Sequence, residues 1–153
     1  ERAKKYNFST PYIKSRYALI VPKDSKIKSL KQINGKKIVA GTGTNNADVV
    51  KKYHGTLVPN GDFSNSLAMV KQGRAEGTVN SREAWYAYSK KNSTKGLKMI
   101  DVSSEAKPTK ISALFNKKDS AIQSSYNQAL KKLQKDGTVK KLSQKYFGED
   151  VTE

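Results

Sequence analysis

Residues 41–46 read Gly-Thr-Gly-Thr-Asn-Asn between an apolar stretch at 37–40 and a periodic segment at 47–53, so they form a turn from a strand into a helix. Backbone N–H groups at such a helix start point at any anion placed before them, and a carboxylate suits them as well as a phosphate. The stretch has neither the lysine of a phosphate-binding P-loop nor a full dinucleotide fingerprint, so nothing in it specifies a nucleotide. Its plainer meaning is an ordinary tight turn with a helix cap. A second candidate is Asn80-Ser81-Arg82-Glu83, which follows a short strand at 77–79. It offers either polar contacts for a ligand or a capped helix start, with Ser81 as cap and the acid of Glu83 in a first turn favoured by the dipole. Trp85, with Tyr86 and Tyr88, either lines a cleft or packs in a core. Arg2 carries a planar fork able to donate two parallel hydrogen bonds to a carboxylate, or is a solvated residue near a chain end.

Several chemistries are excluded by residue type. Cysteine is absent, which rules out disulfides, thiolate metal sites and thiol nucleophiles. His54 is the single histidine, so no histidine-based metal cage can form. The thirteen carboxylates show no paired spacing of the kind used by glycosidases or calcium loops. The formal net charge of +17 comes mainly from lysine, since arginine occurs only at 2, 16, 74 and 82. Lysines dispersed along the chain suit a solvated basic surface better than base or phosphate recognition, which favours the arginine fork, so no nucleic-acid partner is expected. The same charge could hold the protein near an anionic envelope.

The elements that must position these residues alternate. Strands are expected at 17–21, 37–40, 56–58, 77–79 and 97–102, with helices at 29–33, 47–53, 64–72 and 81–91 between them. That order argues for a parallel α/β sheet with right-handed crossovers in one compact unit up to about residue 108. After Pro108 come a strand at 111–115 and an amphipathic helix at 121–135 with Ile122, Tyr126, Ala129, Leu130 and Leu133 on one face. Asp136-Gly137 breaks that helix, and Thr138 is expected to cap a last one running to Tyr146. Ser29 is likewise expected to cap the short helix at 29–33. No apolar run approaches the ~20 residues that span a bilayer.

Three stretches, E-R-A-K-K-Y-N-F-S at 1–9, G-T-G-T-N-N at 41–46 and D-G-T-V-K-K-L-S-Q-K-Y-F-G at 136–148, together resemble the extracellular amino-acid-binding proteins of ABC importers, bacterial solute-binding protein family 3. The resemblance covers nearly the whole chain. It implies a periplasmic-binding-protein-like α/β fold, with residues 1–16 as the end of a first lobe and a hinge. Residues 17–108 would form a complete second lobe on a parallel-rich sheet, and 109–153 the hinge return and carboxyl-terminal helices of the first lobe. Because the family's arginine motif lies well inside the first lobe, the expectation is that an amino-terminal part has been removed. The last helices then leave an incomplete lobe, a domain swap or dimeric association, or an exposed apolar face.

The resemblance also implies a function and a site. It predicts a protein that binds a polar amino acid or cystine between two lobes by hinge closure and delivers it to a membrane permease, with no catalysis, cofactor or metal. The ligand set it implies is Arg2, Gly43, Thr44, Asn45, Asn80, Ser81 and Trp85, with Arg2, Thr44 and Asn45 on the ligand carboxylate and Gly41 at a place where some relatives carry a side-chain contact. Relatives often hold the α-ammonium with an aspartate at the position of Ser81. A serine accepts a hydrogen bond but offers no charge, which leaves Asn80, Glu83 or the other lobe to compensate. The ending K-Y-F-G-E-D-V resembles Gram-positive lipoprotein members, placing the protein on the extracellular face of the membrane or in a periplasm, and N-S-R-E-A-W-Y resembles members that bind cystine or other polar amino acids. Two other readings stay open. One is an enzyme on the same scaffold, resembling cyclohexadienyl dehydratases, with Glu83 as general acid; the other is a basic module that binds polyanions.

Overall fold

The structure, a computed structural model, describes residues 2–152 and divides into two compact units. One comprises the described residues 2–15 and 109–152, the other residues 16–108. The chain opens with a helical turn α1 (Arg2–Lys5) and two short strands, β1 (Tyr6–Phe8) and β2 (Ile13–Ser15). Then come β3 (Tyr17–Pro22), a 3-10 turn (Leu30–Ile33), β4 (Lys37–Ala40), α2 (Asn45–Lys52), β5 (Thr56–Pro59), α3 (Phe63–Lys71), β6 (Gly77–Ser81), α4 (Arg82–Ser89) and β7 (Leu97–Asp101). The chain finishes with β8 (Thr109–Ile111), β9 (Leu114–Asn116), α5 (Ser120–Lys135) and α6 (Thr138–Phe147).

In the 16–108 unit the strands form one sheet in the order β5-β4-β6-β3-β7. The expected parallel arrangement holds for β5, β4 and β6, but β3 runs antiparallel to both of its neighbours, so the sheet is mixed. The cause is connectivity. A parallel partner needs a crossover that carries the chain back across the sheet, whereas β3 enters the unit directly from β2 through Arg16. The strands β4, β5, β6 and β7 still point the same way, because β6 and β7 both oppose β3.

Alternation along the strands divides the core in two. Leu19, Val21, Ile38, Ala40 and Val79 face one cluster, completed by Ala47 and Val50 of α2 and by Leu30 and Ile33 of the 3-10 turn. Ala18, Ile20 and Val39 face the other, where Leu67 and Val70 of α3 and Trp85 of α4 close the layer. Successive strand residues point to opposite faces, so β3 reads as a continuous apolar run because helices cover both sides of it. Thr78, buried on β6, places its hydroxyl on the carbonyl of Val39 at 2.8 Å. Space is tight at Gly77, where a Cβ would stand 3.0 Å from the carbonyl oxygen of Ile20.

Two expected caps are replaced. The side chain of Ser29 makes no cap bond; instead Glu105, distant in sequence, accepts from the Leu30 amide with both carboxylate oxygens at 3.0 and 3.2 Å. At α6 the cap residue is Gly137 at φ 80°, and the Asp136 carboxylate accepts the amide of Thr138 at 2.9 Å. Both carboxylates accept the first amide of the turn or helix, a charge-assisted bond stronger than a neutral one.

In the other unit the strand expected at 111–115 is split. Its first part, β8, pairs with β2, and its second part, β9, pairs with β1, both antiparallel. Pro11, lacking an N–H, interrupts the partner segment, and Ser9 fills the gap: its amide donates to Ala113 O and its hydroxyl accepts from Ala113 N, each at 2.9 Å. The tail is fastened to α6 by Ser143, whose buried hydroxyl donates to Glu149 O at 2.6 Å and accepts from Val151 N at 2.9 Å. Helix α5 buries Leu130, while Ile122 stays 62% exposed and Tyr126 and Leu133 are exposed as well. Its amphipathic pattern is therefore only partly matched by the elements of this unit.

Candidate functional site

Because β4, β5 and β6 are parallel, the three helices that follow them begin at one edge of the sheet. Each start is capped by a side chain. Thr44 accepts from Ala47 N at 3.3 Å, Asp62 from Asn65 N at 2.7 Å and Ser81 from Ala84 N at 3.2 Å. Aligned peptide dipoles put partial positive charge at every one of these starts, so the edge favours the negative end of a ligand.

The turn after β4 is organised around Thr44. Its hydroxyl donates to Gly41 O at 2.7 Å and its amide reaches the same carbonyl at 3.3 Å. Gly43 supplies φ 72°, the left-handed geometry that lets four residues reverse into α2. At Gly41 the constraint is space. A Cβ would lie 3.1 Å from the Thr44 methyl and 3.5 Å from Gly61 Cα, in the turn that follows β5. The first amides of α2, on Asn45 and Asn46, have no carbonyl one turn back to bond. Among the described residues no acceptor is shown for them, and they are the donors a carboxylate would meet.

Beside this turn, Val39 of β4 pairs with Thr78 of β6, and β6 continues to Asn80 and Ser81. Adjacent strands lie about 4.8 Å apart, so the two turns are neighbours. Here the side chains are engaged locally: Asn80 Oδ1 accepts from Ser81 N at 2.8 Å, and Ser81 Oγ caps α4. The serine therefore takes the capping role that its sequence context allowed. Arg82 follows, its amide on Arg16 O at 2.8 Å and its guanidinium on Asp101 at 2.9 Å and on the Tyr86 hydroxyl at 2.7 and 3.1 Å. Desolvation pushes the Asp101 carboxyl up, but the hydrogen bonds from Ser103 and the charges of Arg82 and Arg16 outweigh it and hold the group below the usual carboxylate range.

Of the residues singled out by sequence, Gly43, Thr44, Asn45, Asn80 and Ser81 share this edge. Trp85 is buried in the apolar cluster of Ala18, Ile20, Leu67 and Leu97, where packing accounts for it. Arg2 stands exposed on α1 of the other unit. Asp62 and Asp101 escaped sequence reasoning. A D-F-S-N run ahead of a helical segment carries the cap signal for Asp62, whereas the Asp101–Arg82 pair joins residues 19 apart across antiparallel β3 and has no local signature. Among the described residues no group of three or more potential metal ligands gathers, and no helix is long and apolar enough to cross a membrane.

The chain matches the family model described as bacterial extracellular solute-binding proteins, family 3, over residues 1–149. It is 33% identical to a probable amino-acid ABC transporter-binding protein of Haemophilus influenzae over 154 residues, covering 100% of this chain and 59% of that protein. It is 34% identical to the L-cystine-binding protein TcyJ of Bacillus subtilis, covering 99% of this chain and again 59% of the relative. The crystal structure of the L-cystine solute receptor of Neisseria gonorrhoeae, in its unliganded open conformation, superposes with a TM-score of 0.76 at 30% identity, over 99% of this chain and 64% of the receptor. The chain thus spans somewhat under two thirds of the length of these proteins.

Proposed function

Because the chain belongs to the bacterial extracellular solute-binding proteins of family 3, we propose that it is the amino-acid-binding component of an ABC importer, taking a polar amino acid or cystine and delivering it to a membrane permease. The observation that carries the reading is the sheet edge at which α2, α3 and α4 begin together, with the first amides of α2 left for an outside acceptor. A carboxylate placed there accepts from the amides of Asn45 and Asn46, and Thr44 keeps the turn in the one shape that presents them. Arg2, on the other unit, carries a two-pronged donor of the kind that suits a carboxylate. The family is one of solute-binding proteins, and we read this member as non-catalytic, lying outside the cell or in a periplasm, with the basic surface and the K-Y-F-G-E-D-V ending favouring a lipid-anchored Gram-positive protein.

Isothermal titration of the full-length protein with L-cystine and the twenty common amino acids tests the reading. Saturable one-to-one binding of at least one of them, weakened by Thr44→Val, is the expected result. Failure of every compound to bind would overturn it.

A further inference from the structure

Lysines that are dispersed along the chain are gathered by the fold of the 16–108 unit. Helices α2, α3 and α4 all begin at one edge of the sheet, so they all end at the opposite edge. There α2 closes with Lys51 and Lys52, α3 closes with Lys71 and is followed by Arg74, and Lys91 stands just past α4. Helix dipoles favour cations at such ends, which accounts for these residues one helix at a time. Dipoles do not account for the strand side of the same edge. Lys23 follows β3, Lys36 and Lys37 stand at the start of β4, and Lys95 and Lys98 at the start of β7. All of these except Lys98 are exposed, as is Lys26 in the loop after β3.

The carboxylates that share this edge are Asp24 and Glu76, and Glu76 is engaged by the Lys37 amide at 2.6 Å and by Lys36 Nζ at 3.4 Å. At the helix-start edge the balance is reversed. Asp48, Asp62, Glu83 and Asp101 stand there with Arg16 and Arg82. Strands of four to six residues hold the two edges roughly 15–20 Å apart, farther than charges act through physiological salt, so the acids do not cancel the basic edge. Apart from Arg74 the cations are lysines, point charges on flexible stems with no fork to grip a single phosphate. Spread over the ends of three helices and three strands, they fit a broad anionic surface.

We propose that this basic edge docks on the phosphate headgroups of an anionic bilayer and holds the helix-start edge, at the other end of the same sheet, turned away from the lipid and open to solute. The choice of a bilayer rests on the functional reading above, in which the protein works beside a membrane permease. Attraction of this kind is electrostatic, additive over lysines and screened by salt.

The test is cosedimentation of full-length protein, carrying no acyl chain, with phosphatidylcholine vesicles containing about one third phosphatidylglycerol. Wild type is expected to bind them at low salt, to bind pure phosphatidylcholine vesicles at least about tenfold more weakly, and to be released by about 0.5 M salt. The fourfold variant Lys23→Gln, Lys26→Gln, Lys91→Gln, Lys95→Gln should bind about 30-fold or more weakly. A control with the same net charge, Lys131→Gln, Lys132→Gln, Lys135→Gln, Lys141→Gln in the other unit, should lose less than about threefold. Thermal melts check that both are folded, and the double variant Lys26→Gln, Lys95→Gln, confined to a loop and a turn, carries the test with an intermediate loss if the fourfold variant melts early. Equal binding to neutral vesicles, equal loss in the control, or tighter binding to soluble poly(glycerol phosphate) than to the bilayer at equal phosphate would overturn the proposal. None of these outcomes involves an amino acid, so the functional reading stands or falls separately by its own titration.

Discussion

Replacing Gly41 by alanine gives a stability change whose sign depends on one methyl group. The new Cβ would stand 3.1 Å from the Thr44 Cγ2, against the 3.5–4.0 Å of relaxed carbon contacts, while Gly61 Cα at 3.5 Å and Asn60 O at 3.8 Å are tolerable. Thr44 cannot turn its methyl away cheaply, because its hydroxyl is held by Gly41 O and Ala47 N, and losing that cap costs about 1 kcal/mol. Overpacking of this kind costs about 1–3 kcal/mol. Against it, Gly41 lies outside the left-handed region, so alanine gains about 0.4–1 kcal/mol by restricting the unfolded chain. The clash wins, and Gly41→Ala is expected to destabilise by about 1 kcal/mol. Thr44→Ser removes the methyl but keeps the hydroxyl, and in that background Gly41→Ala should become neutral or stabilising by up to about 0.5 kcal/mol. Urea denaturation of wild type, both single variants and the double variant measures a coupling of about 1–1.5 kcal/mol. Additive changes, within about 0.3 kcal/mol, would refute the packing argument.

Glu105→Ala leaves the buried amide of Leu30 without an acceptor and is expected to cost about 1–3 kcal/mol by denaturant titration, whereas Ser29→Ala should change stability little. Asp101 has its pKa lowered in the folded protein, so the stability it contributes is present above its ordinary value of 3.8 and is lost as pH falls through the depressed one. Asp101→Asn should therefore destabilise at neutral pH, by no more than about 1 kcal/mol for so exposed a pair, and the difference from wild type should fade in thermal melts as pH falls below the ordinary carboxylate value of 3.8. Ser9→Ala removes the acceptor for the Ala113 amide at the break between β8 and β9. A loss of about 1–2 kcal/mol is expected, with faster amide exchange at Ala113 as the local readout.

Local chemistry made much of this legible. The run Tyr17–Pro22 is apolar at every position that two helical layers must cover, and Gly43 and Gly137 mark turns that need positive φ. Thr44 and Ser81 stand directly before helical segments and do cap them. Pairing direction was not legible, since β3 looks like its parallel neighbours in composition and only its direct entry from β2 reverses it. Caps borrowed over long distances were invisible for the same reason: nothing near Ser29 says that Glu105 will arrive. The burial of Glu83 could not be read either, because the charged residue at a helix start is ordinarily exposed, and only the packed structure leaves its oxygen without a partner.

Hydrogen exchange of the full-length protein, with and without saturating L-cystine, tests the central claim most directly. If an amino acid docks at the shared edge of β4 and β6, protection should rise first at the amides of Asn45, Asn46 and Ala47 and at residues 81–84. Protection confined to other surfaces, or a free and loaded protein that exchange identically while binding is saturated, would contradict it.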